Sequence, residues 1–214
     1  MDETNNILDE ATVITPFSGD PASNLSADER DAAVYGVQPG CSPLVTELAT
    51  AMHSTLAHCP AHGLSAAAKS CLRGYLCEPN LLTPAQKQGA RDNYVRRLLY
   101  AAPDHRFSIL ALIWSPGQYT PIHGHTAWGA AGVLEGKPYA ETFFIRETAP
   151  RVMGLQPDVK LQLKPGDIAT VEPGIEDIHR LGNDSQARAI TIHIYGRDLL
   201  RRPTAINIDL NHLR

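Results

Sequence analysis

GQYTPIHGHTAWGAAGVLEG, residues 117–136, reads as a strand, a turn and a second strand. Side chains alternate faces along a strand, so His123 and His125, two residues apart, are expected on one side. Neutral imidazole is the commonest protein ligand for metals. A third histidine on a facing strand would close a three-nitrogen face and leave coordination positions open to substrate. His179 supplies it, within GDIATVEPGIEDIHRLGN at residues 166–183.

The residues around these histidines strengthen the reading. Gly117 lies six residues before His123, and Gly136 eleven after His125, where turns between short strands are expected. In the second block Gly166, Pro173, Gly174, His179 and Asn183 follow in the same style. The pattern resembles the two motifs of the cupin superfamily. The second block departs from it: six residues rather than five separate Gly166 from Pro173, and Pro173 and Gly174 are adjacent. In the first block, Gly129 stands where most cupins carry a glutamate ligand. A divalent ion held by three neutral imidazoles keeps its full charge and favours an anionic substrate such as a thiolate.

That departure resembles the thiol dioxygenases, a cupin branch with a three-histidine iron site. AITIHIYG, residues 189–196, puts Thr191, His193 and Tyr195 on one strand face. The set is similar to the serine, histidine and tyrosine relay of cysteine dioxygenases, with a threonine hydroxyl able to make the serine's hydrogen bond. Tyr94 and Arg96, in DNYVRRLLYAAPDHRFSILALIW, match the tyrosine-x-arginine that ends a helix in mammalian-type enzymes, where the arginine holds the substrate carboxylate. A guanidinium grips a carboxylate through two parallel hydrogen bonds, which the glutamine usual in 3-mercaptopropionate dioxygenases cannot equal. Other features resemble that bacterial branch. Gly129 replaces the cysteine that mammalian enzymes crosslink to their tyrosine, no cysteine follows Cys77, and Tyr195 is followed by Gly196 and Arg197.

The resemblance implies iron(II) on His123, His125 and His179, with Arg96 and Tyr94 binding the substrate and Tyr195, His193 and Thr191 acting in catalysis. The reaction it implies adds both atoms of dioxygen to a small thiol, with L-cysteine first and 3-mercaptopropionate or mercaptosuccinate as alternatives. Two other classes stay open: a zinc, nickel or manganese cupin acting as isomerase or hydrolase, and a noncatalytic ligand-binding cupin.

The composition suits an ordinary enzyme. A chain of 214 residues with 43% hydrophobic content can bury one sizeable core. A net charge of −4 gives no reason to expect nucleic acid or an anionic membrane as partner. There is no run of eighteen apolar residues, and the start MDETNNILDE lacks the basic and apolar regions of a signal peptide. A cytoplasmic protein is expected; oligomeric state is not legible. Cys41, Cys59, Cys71 and Cys77 form no Cys-x-x-Cys pair, and free thiols are expected. His53, His58 and His62 crowd around Cys59, but Pro60 and Gly63 mark a helix end, where histidines are commonly solvated or capping.

Along the chain, residues 1–42 read as a loosely ordered arm, polar and punctuated by proline and glycine. Residues 43–102 read as a helical region. Ser42 and Pro43 open a helix with Leu44, Leu48, Met52 and Leu56 spaced by four, a short helix is expected near SAAAKSCLRGYL, and Thr83 and Pro84 open another running toward Tyr100. Residues 103–214 break into about eight short β-rich segments between glycine and proline, which predicts a mainly β protein with a cupin-type jelly-roll barrel. Of the other polar residues, Arg97 is expected on the surface, as are Arg197, Arg201 and Arg202 unless one reaches the pocket mouth. Trp128 is expected to pack beside the site, and Gln118 lies too near a turn to assign.

Overall fold

A computed structural model describes residues 34–149, 152–201, 207–210 and 213. The arm expected at residues 1–42 lies outside the described residues up to residue 33, as does Arg202. Residues 36–37 form a two-residue strand, β1 (Gly36–Val37).

Helix α1 (Pro43–Ala57) starts at Ser42 and Pro43 as expected, and the fixed φ of Pro43 suits the first turn. Ser42 does not cap it with its side chain; its hydroxyl donates to the Leu81 carbonyl at 2.8 Å. Leu48, Met52 and Leu56 lie buried on one face. Helix α2 (Leu64–Arg73) follows after a single 3₁₀ turn. No helix among the described residues is long and apolar enough to cross a membrane.

The remaining elements are β2 (Val95–Ala101), β3 (Ser108–Trp114), β4 (His123–His125), β5 (Gly129–Glu135), β6 (Tyr139–Ala149), β7 (Val152–Gln162), β8 (Ile168–Val171), β9 (Gly174–Gly182), β10 (Ala189–Tyr195) and β11 (Asn207–Asp209). They form two antiparallel sheets, one ordered β1-β2-β3-β10-β5-β8 and the other β11-β4-β9-β6-β7. This is the expected jelly-roll barrel with helices at its N-terminal side. Gly117 and Gly136 take φ of 83° and 81° at the turns that bracket the first histidine block, a backbone region costly for any side chain with a Cβ.

The helix expected from Thr83 to Tyr100 is not formed. Thr83 and Gln86 do exchange the bonds of a capping box, Gln86 N to Thr83 Oγ1 at 3.4 Å and Thr83 N to Gln86 Oε1 at 3.0 Å, but the chain turns away at once. Residues 95–101 instead pair along β3 as a strand, with Arg96 opposite Leu112. Arg96 therefore projects from a sheet and not from a helix end.

Strands β3 and β10 are buried at every position because both of their faces are covered. On the outer face, Ile109, Ala111, Ile113, Ile190, Ile192 and Ile194 pack with Leu48, Met52 and Leu72 of the helices. The inner face carries Leu110, Leu112, Trp114 and Tyr195 into the barrel. The helices thus cover one sheet from behind, and its inner residues face the site.

Candidate metal centre and its surroundings

Strand β4 lies between β9 and β11, and its register sets His123 directly opposite His179. With His125 two residues on, the three imidazoles converge inside the barrel. Their ring centroids are 4.8–5.0 Å apart, and one nitrogen of each lies within 4.8 Å of the others. Among the described residues this is the one group of three or more such donors able to hold a metal ion.

The ring nitrogens support that use. His123 Nδ1–H donates to the Pro121 carbonyl at 2.9 Å, which leaves Nε2 as the nitrogen with a lone pair. His179 likewise hydrogen-bonds the backbone of Asp177, also two residues back. Both nitrogens of His125 are buried with no hydrogen-bond partner. Leaving such a group unsatisfied costs about 1–3 kcal/mol, a penalty that a bound cation would remove. Burial and the neighbouring imidazoles push His125 far below the ordinary histidine range, and burial followed by His123 lowers His179 to about 3. His125 and His179 are therefore neutral and ready to ligate at neutral pH. A set of three imidazoles suits a first-row transition ion better than magnesium or calcium, which prefer oxygen.

Gly129, at the glutamate position of the motif, lies opposite Tyr195 in the register of β5 and β10. A Cβ there would meet the Tyr195 ring at 2.7 Å, so the ring occupies the space a fourth side chain would need.

Thr191, His193 and Tyr195 form one hydrogen-bonded row, as the alternation on β10 predicts. Thr191 Oγ1 lies 2.7 Å from His193 Nε2, and His193 Nδ1 lies 3.0 Å from the Tyr195 hydroxyl. A fourth member was not foreseen: Trp114 Nε1 donates to Thr191 Oγ1 at 3.0 Å. Indole only donates, so Thr191 Oγ1 accepts from Trp114, and its second lone pair and its own proton both remain available to His193 Nε2. His193 is neutral, lowered to about 3 by burial and then by the nearby Arg96 and His123. With one proton on its ring, His193 donates to either Thr191 Oγ1 or the Tyr195 oxygen and accepts from the other.

Two spaces adjoin the triad. The smaller, about 20 Å³, sets Arg96, Thr120, His123 and Asn207 among apolar walls that include Tyr94, Leu112, Leu181 and Tyr195. It has room for one or two water-sized groups, a head group and not a sugar or nucleotide. The larger, about 140 Å³, runs past His125 and His179 and is walled mainly by Ala130, Ala131, Ala140, Val171 and Leu181. Tyr94 stacks on Trp114 at 4.6 Å between centroids, so one indole supports both the smaller space and the relay.

The other candidates settle into structural places. Arg97 donates to the carbonyls of Gln86 and Gln88, away from Arg96. Gln118 is buried and ties down a loop, accepting from Ser115 N and donating to the Ala90 and Arg91 carbonyls. Trp128 packs against the core beneath the helices. Arg197 donates to the Thr126 carbonyl, and Arg201 lies over the Tyr35 ring. His53 bonds the Tyr100 hydroxyl at 2.7 Å, and His58 bonds the Ser54 carbonyl. The four cysteines are free.

No protein-family profile matches the chain. Among solved structures, the chain is similar to an uncharacterized conserved protein with a double-stranded β-helix domain from Klebsiella pneumoniae. That match has 17% identity and a TM-score of 0.43, covering 56% of this chain and 87% of that one. It is also similar to a Cupin 2 conserved barrel domain protein from Salinispora arenicola, with 14% identity and a TM-score of 0.39 over 58% of this chain and 92% of the other. A cupin-like protein from Thermotoga maritima matches with 18% identity and a TM-score of 0.36, over 49% and 69% of the two chains. By the order and pairing of its own strands, this chain is a cupin-type jelly-roll barrel with an N-terminal helical region. Inside that barrel stands a three-histidine candidate metal site.

Proposed function

We propose that the protein is a non-haem iron thiol dioxygenase that converts a small mercapto-acid to its sulfinate, with L-cysteine as the favoured substrate and 3-mercaptopropionate or mercaptosuccinate as alternatives. The observation that carries this reading is the pairing of a carboxylate-free histidine triad with a continuous Trp114, Thr191, His193 and Tyr195 hydrogen-bond row reaching the same space. A passive binding barrel has no need of such a row.

Iron(II), held by His123, His125 and His179, would supply a site for the thiolate and for dioxygen together. In the balanced reaction a thiol and one dioxygen give one sulfinic acid, the sulfur losing four electrons and the two oxygen atoms gaining them. Arg96, 9% exposed and beside the triad, would fix the carboxylate by paired hydrogen bonds. Tyr94, stacked on Trp114, would shape that end of the space. Tyr195 would donate its hydroxyl proton as a hydrogen bond to the reacting end of the substrate, while His193 and Thr191 hold its oxygen in place. The alanine-lined space would keep water away from the thiolate.

The test is oxygen consumption by iron(II)-loaded protein with L-cysteine, 3-mercaptopropionate and mercaptosuccinate, the products identified by mass. Uptake with formation of one sulfinate per dioxygen is expected. No uptake with any thiol at full iron occupancy would overturn the proposal.

A further inference from the structure

The carboxyl-terminal strand brings a polar side chain into the substrate space that the motifs do not announce. β11 pairs antiparallel with β4, and Asn207 lies opposite His125 in that register. Residues opposite one another share a sheet face, so Asn207 points where the ligands point. It lines the same small space as Arg96, Tyr94 and His123. Its Oδ1 is buried with no hydrogen-bond partner. An acceptor left in that state is costly, and it matches a ligand that carries a donor.

The chemistry of the neighbours narrows that ligand. Arg96 brings only donors and calls for a carboxylate. Asn207 brings a bare acceptor a short way round the same wall and calls for an N–H. One compact head group that carries both a carboxylate and an N–H donor satisfies both side chains. A carboxylate with an amino group on the adjoining carbon is such a head group.

We infer that Asn207 is a specificity-determining residue that accepts a hydrogen bond from the α-amino group of the substrate, so that the site selects an α-amino thiol acid over its deaminated counterpart. The inference rests on the reading of Arg96 and the triad given under the proposed function. It makes Asn207 the counterpart of Arg96: the guanidinium reads the carboxylate and the amide reads the amine.

L-Cysteine and 3-mercaptopropionate differ by that one amino group, which makes them the probes. Their affinities for the full iron(II)-loaded chain would be measured by anaerobic calorimetry, where no turnover occurs. The wild-type protein is expected to bind L-cysteine at least about tenfold more tightly than 3-mercaptopropionate, the scale of one hydrogen bond to a charged group. Asn207→Leu, similar in size without the acceptor, should bring that ratio close to one by weakening L-cysteine alone. Asn207→Asp, which keeps an acceptor oxygen, should retain the preference. A wild-type ratio of one or below would overturn the inference. So would an equal loss for both thiols in Asn207→Leu with no rescue in Asn207→Asp, because the residue would then be only structural. Binding is read apart from oxygen uptake: selectivity that depends on Asn207 without any uptake rejects the dioxygenase and leaves the amine contact standing, and uptake without that selectivity does the reverse.

Discussion

Gly129 and Tyr195 are Cα partners across β5 and β10, and a Cβ on Gly129 would lie 2.7 Å from Cδ1 and 2.9 Å from Cε1 of the tyrosine ring. The missing fourth ligand and the tyrosine of the relay are thus one arrangement, since the ring fits only where residue 129 has no side chain. Gly129→Ala is expected to destabilise the protein by about 1–3 kcal/mol through overpacking, and to lower turnover while metal content holds. Chemical denaturation and metal analysis check this. Gly129→Glu should push the ring aside and not add a ligand; an intact Tyr195 position in that variant would contradict the packing.

Tyr195→Phe removes a single oxygen and leaves the ring in its slot. Turnover of the iron-loaded enzyme should fall by on the order of 10² or more, the usual scale for a lost proton donor, with iron content nearly unchanged. If iron is lost instead, the hydroxyl serves the fold and not the reaction.

Trp114 acts on the relay through Thr191, so the two should not contribute independently. Trp114→Phe keeps the stack on Tyr94 and removes the N–H; Thr191→Val keeps the shape and removes the hydroxyl. Each is expected to cost about 1–3 kcal/mol in stability, with the double variant falling short of the sum. In the zinc-loaded wild-type protein, nitrogen chemical shifts should report a single tautomer of His193, and in Trp114→Phe a mixture of tautomers. Strict additivity would mean that the indole N–H and the threonine are not coupled.

Burial lowers His179 and His193 to about 3 from an ordinary 6.5. Below pH 6.5 the unfolded chain therefore takes up protons that the folded chain refuses. Stability is fully present above that point and is lost as pH falls toward 3, by about 1.4 kcal/mol per pH unit for each such histidine. Urea midpoints of metal-free protein at pH 7, 6 and 5 should decline accordingly. A flat profile would mean that these rings are not held neutral by burial.

The parts of the site written in strand periodicity were legible beforehand. Alternation alone puts His123 with His125, and Thr191 with His193 and Tyr195, because a period of two needs no knowledge of neighbours. The segment after Thr83 was misread because its capping box is real: Thr83 and Gln86 make those bonds. What the local signal omits is β3, whose ladder with residues 95–101 outweighs a single helical turn. Trp114 carried no signal of its own, and its place in the row appears only once β3 lies against β10. Asn207 carried no signal at all, because its meaning depends on β11 lying along a strand some eighty residues earlier.

His123 and His179 face one another directly on neighbouring strands that the chain joins through β5, β6, β7 and β8. An ion shared by these two rings is a crosslink as well as a reagent, closing a long loop in the manner of a reversible staple. Metal bound to the folded chain at a hundred times its Kd would add about 2.7 kcal/mol of stability. Chelation should then lower Tm before it is noticed as lost chemistry, and the melting temperature becomes a gauge of how much of the protein is charged with metal.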